Sequence, residues 1–415
     1  MIATLKLSAR NLLRYRRRTL LTALLITLGV VALLLFVSTA STFRNVMVGS
    51  ITDSMLGHLQ IHRKGYTSAI DNLPLNLNLG AGALTKVDKI LKAEPAIAAY
   101  STRVKIGAMF SNFAETTSIR LNGVDPVAED ATVPALRKRI LDGGQTGSLV
   151  EPGQVLIPQL IAKGMKVKVG DAIVLVVTNA SGSVNAKNFT VRGVLDSVTG
   201  PGGRDGYINI QDARELLRMD KPEAMEIAIR LKDFDQLETV SARIQDRLNT
   251  EVLNKDDKPV TELHLWSDLS PFATIVKMIG LMTTFIRIML ISIVLVSVMN
   301  VMLMAVYERI REIGTLAAIG TRPGKIMGLF LGEGLLLGLA GAAAGIAISY
   351  GLVVLFHAWP INFTYGRNEL SLVPELAASE VLIVLGMAVL VSALASLQPA
   401  WRAANMDPVT ALRHV

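Results

Sequence analysis

The fold is decided by residues 288–322, which read IMLISIVLVSVMNVMLMAVY over 288–307 and ERIREIGTLAAIGTR over 308–322. The first part of this stretch carries no charged side chain. A helix of that length rises about 30 Å, which is the thickness of the hydrocarbon core of a bilayer. Residues 288–307 therefore predict a transmembrane helix, and a second apolar run follows the short charged segment.

The charged segment has the periodicity of a helix. Its apolar or small residues recur at Ile310, Ile313, Leu316, Ala317 and Gly320. The charged side chains of the other faces are those of Glu308, Arg309, Arg311 and Glu312. The pattern predicts a short amphipathic helix between two spans. In an arbitrary membrane protein it would indicate no more than a solvated helical loop.

The composition limits what the rest of the chain can be. With 415 residues, 51% of them hydrophobic, the sequence has room for a membrane domain and a sizeable folded domain. It contains no cysteine, which excludes disulfides, thiolate metal sites and a cysteine nucleophile. The net charge of +8 does not indicate nucleic acid, because a basic cluster directly precedes the first apolar run, where it sets topology and meets anionic lipid.

Four apolar runs predict four membrane spans, with a large domain between the first and the second. The predicted fold class is an α+β membrane protein: four transmembrane helices with a large mixed α/β extracytoplasmic domain inserted between helices 1 and 2. The predicted segments are a cytoplasmic amphipathic helix (1–18), a first span (19–43), the extracytoplasmic domain (44–271), a stalk and second span (272–307), a cytoplasmic connection (308–325), a third span (326–359), an outer loop (360–376), a fourth span (377–398) and a cytoplasmic tail (399–415).

The distribution of lysine and arginine gives the orientation. Both are enriched before the first span, in the connection 308–325 and in the tail, whereas the loop from Pro360 to Glu375 has a single arginine, Arg367. By the positive-inside rule both termini are cytoplasmic and the large domain is outside. A cleaved signal peptide is disfavoured, because the apolar run 19–43 is longer than the roughly 7–15 residues of a signal-sequence core.

Residues 1–18 predict an amphipathic helix that lies on the cytoplasmic membrane surface. Its apolar stripe consists of Ile2, Leu5, Ala9, Leu12 and Leu13. The basic side chains of Lys6, Arg10 and Arg14 point toward another face.

Small residues are frequent in the third span. Gly334 and Gly338, and again Gly341 and Gly345, have the spacing that lets a second helix approach closely. Glu333 lies about two turns inside the cytoplasmic edge of this span, where an ionised carboxylate needs a partner. We expect a salt bridge or hydrogen bond from Glu333 to the charged segment, with a substrate or proton site as the alternative.

The domain from 44 to 271 mixes strands and helices. The segments whose alternation or β-branched content predicts strands are 57–62, 155–157, 172–177, 189–194, 207–210 and 225–231. The predicted helices are 84–93, 211–219 and 234–249. Glycine-rich segments at 143–144 and 199–203 predict turns, and 71–84 is predicted to be a loop.

His58 and His62 have the spacing of metal ligands on a helix. The segment 58–62 alternates like a strand, however, which would hold the two imidazoles about 13 Å apart on one face, too far for a single zinc ion. We therefore expect a solvated strand face and no metal site.

No segment matches a nucleotide-binding or catalytic motif. Residues 320–325, GTRPGK, have one residue too few between the glycines for a P-loop and lack the following serine or threonine. We also find no Ser/His/Asp series near a glycine elbow and no paired carboxylates in an evident cleft. The sequence therefore predicts no catalytic residues, and neither a metal nor a cofactor bound directly.

Three segments resemble a known family. The pattern Glu-Arg-x-Arg-Glu-Ile-Gly-x-x-x-Ala-Ile-Gly at 308–320, followed by Arg322, Lys325 and Glu333-Gly334, resembles the loop between the second and third spans of the MacB/FtsX/LolC-LolE superfamily of ABC-transporter permeases. The tail PAWRAANMDPVTALR at 399–413 resembles its closing signature. The segment GHLQIHRKGY at 57–66 resembles the first periplasmic strand of LolE-type permeases.

The resemblance implies partners for this chain. In that superfamily the loop forms a coupling helix on an ATP-hydrolysing subunit, and the permeases pair as homodimers or heterodimers bound to two ATPase subunits, which use ATP and Mg. Carried over, the coupling residues are Glu308, Arg309, Arg311, Glu312, Ile313, Gly314, Ile319, Gly320 and Arg322. MacB carries its ATPase fused before the first span, whereas this chain begins 18 residues before it, so a separate ATPase subunit is expected.

Within the superfamily the sequence favours the release of lipoproteins from the bacterial inner membrane, by a mechanotransmission mechanism in which ATPase closure pushes on the coupling helix and reshapes the outer domain. MacB-like export of a small amphiphile or peptide is the close alternative. FtsX-like regulation of cell-wall hydrolases is disfavoured, because the outer domain of those members is usually much smaller. A periplasmic adaptor or a lipoprotein carrier would be a further partner, and a membrane-tethered enzyme finds no motif in its favour.

Overall fold

Four long apolar helices and one large mixed sheet make up most of the chain. The computed structural model describes residues 2–14, 16–196, 205–359, 361–365 and 368–413. The predicted turn at 199–203 and the loop residues Pro360 and Arg367 lie outside that description. The chain divides into a helical unit, Met1–Val46 with Val276–Val415, and an α/β unit, Met47–Ile275.

Helices dominate both ends of the chain, and strands dominate its middle. The helices are α1 (Ile2–Arg14), α2 (Arg16–Ile51), α3 (Ala81–Lys92), α4 (Pro126–Thr132), α5 (Gln159–Gly164), α6 (Ile210–Leu217), α7 (Leu237–Glu251), α8 (Trp266–Leu269), α9 (Phe272–Glu308), α10 (Ile310–Ala318), α11 (Pro323–Ala358), α12 (Ala378–Ala404) and α13 (Pro408–Arg413). The strands are β1 (Leu59–Arg63), β2 (Ile97–Ser111), β3 (Thr116–Val124), β4 (Ile140–Gly143), β5 (Gln154–Pro158), β6 (Ala172–Thr178), β7 (Val184–Leu195), β8 (Asp205–Asn209), β9 (Glu226–Leu231), β10 (Thr261–Leu265), β11 (Ile361–Tyr365) and β12 (Asn368–Leu372).

Within the described residues, the helices long and apolar enough to cross a membrane are α2, α9, α11 and α12. The α/β unit is inserted between α2 and the other three. This confirms the predicted fold class. In the α/β unit the six predicted strands and three predicted helices are present, with ends that differ by a few residues.

The ends of the long helices differ from the predicted borders of the spans. α2 continues to Ile51, where the predicted span stops at residue 43. α9 is unbroken over 37 residues, which corresponds to roughly 55 Å and exceeds the hydrocarbon core. α12 passes through Pro399 to Ala404, although proline removes one backbone hydrogen bond. Ala400 and Ala403 beyond it are buried, so packing of this face holds the last turns in helical form.

The α/β unit is built on a ten-stranded mixed sheet of described residues, in the order β10-β1-β9-β2-β3-β8-β5-β7-β4, with β6 beside β2 and β7. The pairs β3–β8 and β5–β7 are parallel. The long hairpin β2–β3 was not predicted, because serine, threonine and glycine interrupt its apolar alternation. The predicted loop 71–84 is wrong at its end, since α3 begins at Ala81 directly after an extended Gly80.

Strands β1 and β9, and β2 from Ser101 to Val104 beside β9, are largely covered on both faces. On one face, Leu59 and Ile61 of β1 pack with Ile227 and Ile229 of β9 in a core that includes side chains of α3 and α7. The opposite face carries polar side chains in register across the three strands, with His62 opposite Glu226 and Glu226 opposite Arg103. The residues Gln60, His62, Arg103 and Glu226 of that face are all buried. Helix α4 packs against this polar face.

The predicted solvated face for His58 and His62 is therefore wrong. His62 is fully buried, and His58, which precedes β1, is 5% exposed. The alternation of residues 58–62 indicates two different faces, but only the fold shows that the polar face is covered. The Nδ1 atom of His58 accepts a hydrogen bond from the Leu231 N–H at 3.1 Å. Among the described residues no cluster of histidine and carboxylate side chains is arranged to hold a metal ion.

Glu226 is the centre of a buried ion network on the polar face. Its carboxylate lies 2.7 Å from Arg103 Nη1, 2.7 Å from Lys105 Nζ and 3.5 Å from His62 Nε2. Arg103 also contacts Glu129 of α4 at 2.7 Å. Burial raises the pKa of Glu226, but Lys105, the His62 hydrogen bond and Arg103 together outweigh burial and leave that pKa well below its usual value of 4.5. Burial in turn lowers the pKa of His62.

We predict that Glu226 makes the α/β unit sensitive to acid. Because the pKa of Glu226 is depressed in the folded state, its contribution is present above about pH 4.5 and is lost as the pH falls below that value. Glu226→Gln should lower stability at neutral pH and flatten the acid dependence. Urea unfolding of the full chain, monitored by hydrogen exchange of the backbone amides in β2 and β9, measures the stability at neutral pH and its dependence on acid. Glu251→Gln on the surface of α7 is the control, and an unchanged acid profile in Glu226→Gln would contradict the prediction.

Candidate functional site

The connection between α9 and α11 is a short helix with defined ends. α10 starts two residues after the last residue of α9 and is closed by Gly320, whose φ is +84°. The N–H groups of Gly320 and Thr321 donate to the carbonyls of Ala317 and Leu316, each at 3.0 Å, which is a Schellman motif. Glycine adopts this left-handed conformation without steric cost. Pro323 then begins α11 at a position that suits its fixed φ.

One face of α10 is buried and the other is exposed. Ile313 is 2% exposed, and Gly314 beside it is also buried. Leu316 and Gly320, which were predicted to share the apolar stripe, are exposed instead, because the helix ends at Ala318 and the chain turns there. On the exposed side Ile319 is 75% exposed. The short helix α13 packs against α10.

The predicted coupling residues separate into two sets. The exposed set consists of Glu308, Arg311, Glu312, Ile319, Gly320 and Arg322. The buried set consists of Arg309, Ile313 and Gly314. Glu308 is the last residue of α9 and does not belong to α10. The structure thus leaves charges of both signs exposed at the start of α10 and Ile319 exposed at its end. Glu312 lies 3.9 Å from Arg14.

Arg309 points inward, although it was expected on the charged outer face. It occupies the break between α9 and α10, where its backbone leaves the helical conformation (φ −110°, ψ 18°). Its side chain is 9% exposed, and Nη1 lies 2.8 Å from Oε1 of Glu333, which is 3% exposed. The break in the helix lets the side chain reach the interior, and periodicity along a continuous helix could not predict this.

Glu333 joins three elements of the helical unit. Its Oε1 accepts hydrogen bonds from Arg309 of the α9–α10 junction at 2.8 Å and from Asn11 of α1 at 2.9 Å. Glu333 itself belongs to α11. We name Arg309, Glu333 and Asn11 the carboxylate clamp. Removal of either partner would break a buried ion pair, which is strongly destabilising.

A small polar face of α1 packs against α11. Ser8 is fully buried, and its Oγ donates to the Leu329 carbonyl at 2.9 Å. Gly332 makes room for it, since a Cβ at Gly332 would lie 2.8 Å from that Oγ. The predicted apolar stripe of α1 is therefore wrong at Ala9, which is exposed. The stripe positions whose side chains lie outside the described set are Ile2, Leu5 and Leu13. A polar residue in a helix at a membrane surface is expected to face solvent, so the sequence does not predict that Ser8 and Asn11 contact α11.

The four glycines of the third span lie against two different helices. A Cβ at Gly334 or Gly338 would come within 2.6 Å of side-chain atoms of Ser396 or Ser392 in α12. A Cβ at Gly341 or Gly345 would come within 2.7 Å of side-chain atoms of Ile26 or Val30 in α2. α11 thus approaches α12 with one glycine pair and α2 with the other.

Comparison with known proteins identifies the family. Residues 19–247, more than half of the chain, match the family described as MacB-like periplasmic core domain. Residues 284–408 match the family described as FtsX-like permease C-terminal. The chain belongs to the MacB/FtsX/LolC-LolE superfamily of ABC-transporter permeases. The α/β unit and the last three spans of this permease correspond to these two matches.

A lipoprotein-releasing protein and a macrolide exporter are among the curated relatives of the permease. The lipoprotein-releasing system transmembrane protein LolC of Xylella fastidiosa (strain 9a5c) is 26% identical over 317 residues, which cover 71% of this chain and 72% of LolC. The macrolide export ATP-binding/permease protein MacB 2 of Yersinia pestis bv. Antiqua (strain Antiqua) is 37% identical over 117 residues, which cover 28% of this chain and 16% of MacB. The permease therefore aligns with most of one relative and a small part of the other.

Solved structures also resemble the permease. The periplasmic region of MacB from Actinobacillus actinomycetemcomitans aligns with a TM-score of 0.37 and 11% identity, covering 52% of this chain and 92% of that structure. The extracellular domain of the noncanonic ABC-type transporter YknZ from Gram-positive bacteria aligns with a TM-score of 0.34 and 12% identity, covering 50% of this chain and 100% of that structure.

We predict that breaking the carboxylate clamp on one side destabilises the permease. Glu333→Ala removes the carboxylate that lies 2.8 Å from the buried Arg309 guanidinium, and we expect a loss of about 3–5 kcal/mol. The double variant Arg309→Met/Glu333→Leu removes both charges and should recover most of that loss. The measurement is the free energy of unfolding of the unsubstituted chain, of Glu333→Ala and of the double variant, each purified. A double variant as unstable as Glu333→Ala would contradict the role of the charge pair.

We predict a position-dependent response to alanine along α11. Gly338→Ala places a Cβ 2.6 Å from Ser392, and overpacking of this kind costs about 1–3 kcal/mol. Gly351→Ala is the matched control, because a Cβ at Gly351 meets nothing within 4 Å. Melting temperatures of the two variants should differ, with only Gly338→Ala lowered. Equal melting temperatures would exclude close packing at Gly338.

Proposed function

We propose that this permease releases lipoproteins from the bacterial inner membrane, driven by an ABC ATPase subunit. The observation that carries the proposal is the similarity to LolC, which extends over 71% of this chain and 72% of that relative. LolC is named as a transmembrane protein of a lipoprotein-releasing system. An alignment of this length is longer than either unit of the chain and therefore includes residues of both.

We propose the exposed face of α10 as the contact for the ATPase. Arg311 and Glu312 supply charges of both signs, and Ile319, at 75% exposure, supplies an apolar centre. An apolar anchor surrounded by polar groups is the usual composition of a protein interface. ATP and Mg would be bound by the partner, and no cofactor by this chain.

The carboxylate clamp supports transmission from that contact. Because it joins the α9–α10 junction to α11 and α1, a displacement of α10 acts on three helices together. α2 and α9 are the helices by which the chain enters and leaves the α/β unit. We propose that these two helices carry the displacement to the α/β unit, where substrate is handled without crossing the bilayer.

The proposed setting is the inner membrane, with both termini in the cytoplasm and the α/β unit in the periplasm. Lysine and arginine cluster before α2, between α9 and α11 and after α12, and this distribution supports the orientation. The permease would pair with a second permease chain, identical or homologous, and deliver to a periplasmic carrier or adaptor.

Export of a small amphiphile or peptide is the second candidate. It is favoured by the 37% identity to MacB, which is higher than that to LolC, and by the MacB-like domain match over 19–247. The MacB alignment covers only 16% of that relative, so we rank export below lipoprotein release.

Depletion of the permease in its own host distinguishes the two candidates. Lipoprotein release predicts that lipid-modified proteins accumulate in the inner membrane, as measured by fractionation and immunoblotting. Export of a small amphiphile predicts that depletion raises the sensitivity to macrolides while lipoproteins stay correctly distributed. That result would overturn the proposal of lipoprotein release.

We predict that Glu308→Ala/Glu312→Ala uncouples the permease from its ATPase. Both carboxylates are exposed, Glu308 at the end of α9 and Glu312 in the first turn of α10, so their loss should reduce stimulation of ATP hydrolysis while the permease stays folded. ATPase activity of the reconstituted complex is the measurement. Glu375→Ala/Glu380→Ala, at the opposite end of the helical unit, is the control. Unchanged stimulation in Glu308→Ala/Glu312→Ala would refute the proposed coupling surface.

A further inference from the structure

A cleft opens between the start of α2 and the end of α9, within the helical unit. Its volume is about 720 Å³, and the residues that line it are Arg14, Arg16, Arg17, Leu21, Thr22, Asn300, Val301, Met304 and Glu308. The cleft borders the coupling residues, since Glu308 lines it and its Arg14 lies 3.9 Å from Glu312 of α10, but neither Arg309 nor Glu333 of the carboxylate clamp lines it. A space of this size can hold a large polar group together with part of an apolar chain.

The mouth of the cleft is strongly basic. Three arginines and one glutamate line it, which leaves an excess of two positive charges. The arginines end α1 and begin α2, directly before the apolar run that starts at Thr19. Guanidinium groups bind phosphate oxygens in paired hydrogen bonds, and basic pockets between helices at a membrane surface are suited to lipid head groups.

The wall of the cleft is apolar and belongs to the membrane-spanning parts of the helices. Leu21 of α2 is 62% exposed, and Met304 of α9 is 55% exposed. Both side chains lie on helices that are long and apolar enough to cross a bilayer. The basic mouth and the apolar wall are thus adjacent in the order in which a phospholipid presents its phosphate and its acyl chain.

We propose that this cleft binds an anionic glycerophospholipid, with its phosphate on Arg16 and Arg17 and an acyl chain along Leu21 and Met304. Charge complementarity decides between a lipid and a second copy of the chain. A second copy on this cleft would have to cover the three arginines with carboxylates of its own, since buried charges without counter-ions are costly. An anionic lipid offers the opposite charge and the apolar chain at once. The proposal does not depend on lipoprotein release and would hold for either candidate substrate.

The test uses the purified full chain and three probes: dioleoylphosphatidylglycerol, dioleoylphosphatidylcholine and inorganic phosphate. Native mass spectrometry counts bound lipid, and the melting temperature reports stabilisation. We expect the anionic lipid to bind and to raise the melting temperature, whereas phosphatidylcholine and inorganic phosphate have little effect. Each basic residue near a membrane contributes enough that Arg17→Gln should weaken binding about fivefold.

Matched variants locate the site. Arg44→Gln removes an exposed arginine from the other end of the spanning part of α2 and should leave binding unchanged. Leu21→Trp fills the cleft and should reduce the number of bound anionic lipids without altering charge. Leu24→Trp is its control, since Leu24 is 55% exposed but does not line the cleft.

Four results would overturn the proposal. Equal binding of the two lipids would remove the need for a basic site, and equal effects of Arg17→Gln and Arg44→Gln would place the site elsewhere. Stabilisation by inorganic phosphate as strong as that by the anionic lipid would indicate a free-anion site. If Leu21→Trp changed the oligomeric state and left lipid binding intact, the cleft would be an interface between copies.

Discussion

A carboxylate that leaves water needs a counter-charge within hydrogen-bond distance, and Glu333 receives Arg309 and Asn11 from two separate elements. Arg309 reaches it because the helix breaks between α9 and α10, and Asn11 reaches it because α1 packs on α11. The close fit of Ser8 at Gly332 supports the same contact. The position of the amphipathic helix α10 therefore follows from a charge that the third span must neutralise.

The α/β unit also contains a buried carboxylate, which other groups neutralise. Glu226 lies under α4 on a strand face that would ordinarily be wet, and it receives Arg103, Lys105 and His62 from its neighbouring strands. In both units a buried carboxylate gathers cationic or donor groups from separate elements. Such sites make the arrangement specific, since a shifted register or a rotated helix would leave a charge unpaired.

The sequence was sufficient for the architecture, which rests on the lengths of apolar runs, and for the family, which rests on local motifs. Apolar length predicts α2, α9, α11 and α12, and the pattern at 308–320 identifies the superfamily. Glycine spacing in α11 indicated close helix contacts but not their partners, Ser392 and Ser396 on one side and Ile26 and Val30 on the other. The inward turn of Arg309 could not be predicted, since it depends on a one-residue break. The burial of the strand face that carries His62 could not be predicted either, because it depends on where α4 packs.

The two glycine pairs of α11 have a consequence for how this permease can move. Ile26 and Val30 sit in the hollows left by Gly341 and Gly345, and Ser392 and Ser396 sit in those left by Gly338 and Gly334. Rolling α11 about its axis would drive bulky side chains into backbones that now touch, because its other faces carry leucine and isoleucine. α2, α11 and α12 are thus interlocked at these contacts, and the packing favours their displacement as a single rigid block.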